Sequence, residues 1–372
     1  MQFIGRIENF IYQSKRSRFI AIAVALSLIK TGVWCIPNLE SSWIISLNPF
    51  HNPFTDPMAH YMMWNWLSPF LAWRLRIHNE QSFLYFHLLF SIVFTCLFIA
   101  WIWSHLEEKD ARTSLVLFLS LPVSTTAYFW VGMDSVTLVL MLLLLLVRRK
   151  AWMALPIGVL LGMQHFEQGL VAFGALAVAL LISIVMKKQS EYSIPWITAS
   201  LAGVILGKIV LMAVFSHYGM QVNSGRLYLL QNYSRQCVVA FYYHFQYILW
   251  SVFGVGWIVI AKYSQQGKTA MPFLIALAAE MPLLVVMQDE TRVLAIVSFP
   301  LVAITLLLNR GFLQSLSGRL VAIIFGLWLL VPYPWVWRGL PYCSLLPYDV
   351  VYLLHRLFGW FHIPANQPLS PF

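Results

Sequence analysis

The feature that most constrains this chain is a series of long apolar runs separated by short basic clusters. Runs such as 83–103 and 194–215 match the ~20 residues that a helix needs to cross a hydrocarbon core about 30 Å thick. Composition agrees: 60% of residues are hydrophobic and 10% charged, where a soluble domain carries about 25% charged residues. A water-soluble globule is excluded. An outer-membrane barrel would show segments of alternating polarity, and these runs do not alternate. The sequence therefore predicts an all-α, polytopic transmembrane helical bundle, one membrane-embedded domain over 1–372. About eleven spans are expected, near 19–36, 83–103, 113–131, 134–147, 151–164, 168–186, 194–215, 246–261, 270–287, 293–308 and 319–337. A weaker segment at 345–361 is expected to span or to lie in the interface.

The basic residues test the alternation. Arg6, Lys15, Arg16, Arg18, Lys109, Arg112, Arg148, Arg149, Lys150, Lys187, Lys188, Lys262, Lys268, Arg310 and Arg319 all fall on one side of that arrangement, out of 24 Lys and Arg. The positive-inside rule makes this the cytoplasmic side, with the N-terminus there. The formal charge of +10 is thus a topology signal, and no basic stripe with interleaved aromatics suggests nucleic acid. The cysteines, Cys35, Cys96, Cys237 and Cys343, form no zinc pattern.

Most acids fall on the opposite side, several in tight apolar-flanked turns. Two helix pairs are too short to reach across. One turns at Trp130-Val131-Gly132-Met133-Asp134-Ser135, the other at Gln164-His165-Phe166-Glu167-Gln168. A leg of about 14 residues covers about 21 Å. These turns are expected at membrane depth, lining a recess, where ionisable groups are costly and functional by default. Asp134, His165 and Glu167 are therefore candidate site residues, with helix capping or a structural polar network as the plainer alternatives. Lys208 is expected to pair with Glu167 or Asp134, or to snorkel.

The outer loop 37–82 carries Asp56 before Pro57, a helix N-cap signature, followed by a Trp- and Tyr-rich stretch that predicts one or two helices along the membrane surface. Asp56 suits a cap and equally a surface carboxylate. Between two later spans, Gln288-Asp289-Glu290-Thr291-Arg292 places a guanidinium beside two acids, where its fork can hold a phosphate or fix the carboxylates. A second outer loop, 216–245, offers Arg226 and Arg235 to an anionic headgroup. No nucleotide-binding, zinc-protease or serine-hydrolase motif occurs.

This layout resembles the GT-C superfamily of membrane glycosyltransferases: a cytoplasmic N-terminus, a first helix, a large outer loop with surface helices carrying an acid (Asp56), and further carboxylates and Arg at outer helix tips. The resemblance covers the first half of the chain best. It implies transfer of a sugar from a polyprenyl-phosphate-linked donor to a glycan, lipid or protein acceptor on the extracytoplasmic face of a bacterial inner (plasma) membrane. Asp56 would then be the general base that activates the acceptor hydroxyl, with Glu167 and Asp134 as further catalytic carboxylates that orient sugar hydroxyls or tune the base. His165, Arg292, Asp289, Glu290, Arg226, Arg235 and Lys208 would bind substrate, and the sequence demands no cofactor, although a divalent metal near the carboxylates is compatible with it. The competing readings are a transporter or flippase of a lipid-linked or small anionic substrate, and a polysaccharide polymerase.

Overall fold

With no water to satisfy backbone N–H and C=O groups, apolar runs must close their hydrogen bonds internally, and the chain does so almost entirely as helix. The computed structural model describes residues 2–33, 42–188, 192–287, 289–337 and 340–343. The α-helices among them are α1 (Gln2–Gln13), α2 (Arg16–Thr31), α3 (Leu67–Arg74), α4 (Glu80–His105), α5 (Glu108–Ser120), α6 (Pro122–Phe129), α7 (Asp134–Leu146), α8 (Ala151–Val185), α9 (Ile194–His217), α10 (Arg226–Ser251), α11 (Gly256–Ser264), α12 (Met271–Glu280), α13 (Leu283–Val286), α14 (Glu290–Val302), α15 (Arg310–Ser315) and α16 (Gly318–Leu330). Glu40, Asp349, Cys35, Gln288 and the segment 345–361 lie outside the described residues, as does the side chain of Arg226.

Among the described residues four helical runs are long and apolar enough, by length and composition alone, to cross a membrane: α4, α8 taken through its bend at His165, α9 and Glu290–Leu307, which joins α14 to a π turn. The pair Leu230–Ser251 and Gly256–Ser264, bent by 80°, makes a fifth if it is one span. This is fewer than the eleven expected, because several apolar runs are short or broken. Pro122 splits 113–131 into α5 and α6. Met281–Pro282 interrupts 270–287 between α12 and α13. The run 319–337 stays helical only to Leu330. Beyond it, strands β1 (Pro334–Trp337) and β2 (Leu340–Cys343) pair antiparallel. Lys30 closes this end of α16 by donating to the carbonyls of Val331 (2.7 Å) and Leu329 (3.4 Å), a cation at a helix C-terminus. The loop expected over 216–245 is largely helix, since α10 starts at Arg226. The loop 37–82 holds short helices as expected: the 3₁₀ turns Ile44–Leu47 and Pro57–Trp64, then α3.

The helix α8 is nominally 35 residues long, but His165 inside it is extended (φ −161°, ψ 85°), and the chain reverses there. In a straight helix residues eight apart are separated by about 12 Å, yet a Cβ built on Gly169 meets the Leu161 side chain at 3.1 Å. Gly158 and Gly162 lie against Gly203 and Gly207, so the first leg runs parallel to α9. Phe173, beyond the kink, meets Trp196 near the start of α9, with ring centroids 5.5 Å apart. The two legs are therefore antiparallel, and their tip presents Gln164 to Gln168.

Basic clusters meet at one end of the bundle. Arg112 donates to the carbonyls of Ile11 (2.6 Å) and Ser14 (2.8 Å). Arg16 and Arg112 both hold Glu108, at 2.5 and 2.7 Å, and Arg310 donates to the carbonyl of His105. The window of Glu290–Leu307 is 94% buried, against 33% for α9, so α14 is the central post and α9 lies toward the periphery.

Glu108 gives this end a pH signature. Burial alone would raise its pKa, but hydrogen bonds from Arg16, Arg112 and Trp103 outweigh that and hold it below its ordinary value of 4.5. A depressed folded-state pKa adds stability above the unfolded value, lost as pH falls through the folded one. Glu108→Gln is therefore expected to lower the thermal midpoint at neutral pH. It is also expected to reduce the further drop on acidification, both read by thermal unfolding in detergent.

Candidate functional site

The opposite end gathers polar side chains from segments far apart in sequence. Asp134 opens α7, where the helix dipole favours a carboxylate. It is not the N-cap, a position held by Met133. Arg292, in the first turn of α14, places Nη1 3.2 Å from Asp134 Oδ2, while its Nη2 donates to Asp289 Oδ2 at 2.5 Å. Gln168, from the tip of α8, donates to Asp134 Oδ1 at 3.3 Å. Glu290, which follows Asp289 in the chain, is buried at 1% exposure. Arg292 thus joins Asp134 to Asp289. Arg292 Nε and Gln168 Oε1 are buried without hydrogen-bond partners among the described residues.

A second group adjoins through the α8 tip. Glu167 lies 3.7 Å from His165 Nδ1 and 3.8 Å from Lys208 Nζ. Lys208 does not snorkel. Its ammonium sits 3.2 Å from the centroid of the Trp64 ring and 5.3 Å from that of Phe166, a cation–π arrangement. Glu167 keeps 34% of its side chain exposed, against 10% for Asp134, so it is the more reachable carboxylate.

The first loop covers this end through the 3₁₀ helix Pro57–Trp64. Trp64 rests on Lys208, and Tyr61 is within electrostatic reach of Arg292. That helix is docked by Asn223. Trp64 Nε1 donates to its carbonyl (3.1 Å), and the Asn223 side chain donates to the carbonyl of Pro57 (2.7 Å). Gly225, at φ +60°, lets the chain pass over Trp64, where a Cβ would collide with the indole. Asp56 caps this helix, its Oδ1 accepting from Met58 N at 2.9 Å, and is exposed. It takes part in the site through the helix it starts, and no contact with the charged cluster is described. Arg226 begins α10 next to Gly225. Arg235, nine residues on and so about 13.5 Å further along the helix, is exposed and is not brought to the cluster.

The site also uses residues that charge-based reading passes over. Gln164 Oε1 accepts from Ser68 N (2.9 Å) and its Nε2 donates to the Met133 carbonyl (2.8 Å), tying the α8 tip to α3 and α7. Ser68 Oγ meets His87 Nε2, and His87 Nδ1 lies 2.7 Å from the Phe83 carbonyl. The signal for Gln164 and Gln168 was present, since an amide at membrane depth needs partners for the reason that a carboxylate does. His87, an ionisable group inside the apolar run 83–103, carried the same signal, and Ser68 had none.

Counted as ionised, Asp134, Asp289, Glu290 and Glu167 against Arg292 and Lys208 leave the site with two net negative charges. Among the described residues no group of three or more His, Cys, Asp or Glu side chains is placed to hold a metal ion. No family model matches this chain, and neither a curated protein nor a solved structure is significantly similar to it.

Proposed function

We propose that this protein is a membrane glycosyltransferase that moves a sugar from a polyprenyl-phosphate-linked donor to an acceptor hydroxyl at the end of the bundle where Asp134, Glu167, Lys208 and Arg292 converge. One observation supports a reaction at one face over passage through the bundle. Among the described residues the charged side chains, Glu280 apart, gather toward the two ends, and the interior around α14 is packed mainly with apolar side chains and holds only neutral hydroxyls such as Ser298 and Thr305. A transporter needs a polar route between the ends.

In this reading Glu167 is the general base. It takes the acceptor proton as the hydroxyl attacks the anomeric carbon, and the bond to the donor phosphate breaks. Lys208 at the rim meets the phosphate, where negative charge develops. Asp134, Gln168 and Asp289, oriented by Arg292, hold sugar hydroxyls. Asp56 shapes the rim by starting the Pro57–Trp64 helix, and the prenyl tail lies along the apolar sides of the spans.

The test is turnover in nanodiscs with a polyprenyl-phosphate sugar donor. Glu167→Gln is expected to lower it by about 10²–10⁴-fold, the usual worth of a general base. Asp56→Asn, which keeps a good capping residue, is expected to cost much less. The reverse order moves the base to Asp56, and full activity in both variants removes this mechanism.

A further inference from the structure

We propose that Glu280 is a proton-binding site inside the helical bundle, loaded at rest, and that its ligand is a proton and not a metal cation. This is independent of the glycosyltransferase reading, which gives Glu280 no role. Glu280 ends α12, at most about 15 Å along the axis from Met271, and is 2% exposed. Neither carboxyl oxygen has a hydrogen-bond partner among the described residues. The elements packed against α12 are α8, α14 and the turn Gly267–Thr269. Their titratable or charged residues are His165, Glu167, Glu290, Arg292 and Lys268, and among the described residues none of these hydrogen-bonds to the Glu280 carboxyl.

A carboxylate in such surroundings takes up a proton in preference to remaining charged. Position reinforces this. The C-terminal end of a helix carries partial negative charge, and Glu280 sits on that end of α12, just before the break at Met281–Pro282. Both features oppose ionisation and favour a bound cation. A metal ion needs several oxygen donors, and among the described residues no group of three acidic or metal-ligating side chains is assembled. A proton needs one.

The experiment is labelling of the full-length protein in phosphatidylcholine nanodiscs with a hydrophobic carbodiimide, mapped by mass spectrometry. The carbodiimide nitrogen takes the acid proton, the carboxyl oxygen adds to the central carbon, and the O-acylisourea rearranges to a stable N-acylurea. The expected result is an adduct on Glu280 that declines as pH rises, is unaffected by sodium or calcium, and is lost in Glu280→Gln. An adduct that sodium or calcium suppresses, labelling that does not change with pH, or no adduct on Glu280 in the wild type would overturn the proposal. Because the wild-type adduct map is decisive by itself, a variant that fails to fold does not blunt the test.

Discussion

Arg292→Leu is expected to destabilise the protein more than any other single change to a charged residue in the site. Arg292 answers two carboxylates at once, at 2.5 Å to Asp289 and 3.2 Å to Asp134, and its own side chain is 13% exposed. Removing one member of a buried ion pair strands the other charge at a cost of about 3–5 kcal/mol. Here two acids are stranded together, beside buried Glu290. Arg292→Lys keeps a positive charge but not the planar fork that reaches both acids, so it is expected to fall between leucine and wild type. Leucine at 292 combined with Asp134→Asn and Asp289→Asn removes all three charges and is expected to recover most of the loss, because neutral amides cost far less to bury. Thermal unfolding in detergent ranks the four proteins. Unchanged stability of Arg292→Leu would show that these groups are solvated in the folded protein and form no buried triad.

The contrast between Asp134 and Asp56 shows what the sequence can carry. Both precede helices, and capping was the plain reading of each. Asp56 does cap, because Pro57 at the first helical position commits the next turn and leaves its backbone N–H groups to the carboxylate. Asp134 does not, because Met133 takes that position and Arg292 takes the carboxylate, a partner contributed by a helix more than a hundred residues away. Local chemistry is legible in a sequence, whereas pairing across a bundle is not. The reversal at His165 was legible, since Lys150 and the Lys187–Lys188 pair had to share a side. The early start of α10 was not, because Arg226, Asn232, Arg235 and Gln236 give that stretch a loop's polarity, although straight-chain and aromatic residues fill its remaining turns. The hairpin after Leu330 was read as a continued span because Trp335, Val336 and Trp337 are apolar. Pro332 and Pro334 were the signal against helix there. The eleven expected spans compare with four or five candidate spans among the described residues, because Pro122 divides one apolar run and others form helices shorter than 18 residues.

The tip of α8 can deliver Gln164, His165, Glu167 and Gln168 together only if the helix beneath it is fixed, and that fixing rests on glycine. Gly158 and Gly162 of α8 face Gly203 and Gly207 of α9, a small-xxx-small pairing on both helices that brings the two backbones into contact. A Cβ on Gly158 would stand 2.7 Å from the Ser200 carbonyl oxygen. One on Gly162 would collide with that of Val204, and one on Gly207 with that of Val159. The obstacles are backbone atoms, which cannot rotate away, so the helices themselves must separate. Gly162→Val is therefore expected to cost at least the 1–3 kcal/mol typical of overpacking. It is also expected to disturb function beyond that figure. Gly162 is one helical turn from Glu167's side of the kink, and Lys208 follows Gly207 directly. Parting the helices at this crossing therefore opens the Glu167–Lys208 pair, already loose at 3.8 Å. Gly174→Val is the control, since nothing lies within 4 Å of a Cβ there, and it is expected to cost only the lower helix propensity of a β-branched residue, offset by the loss of glycine. The measurement is thermal midpoint for both variants together with turnover at a temperature where each is folded. Equal behaviour of Gly162→Val and Gly174→Val would mean that the crossing is not tight and that the tip is held by Gln164 and its partners alone.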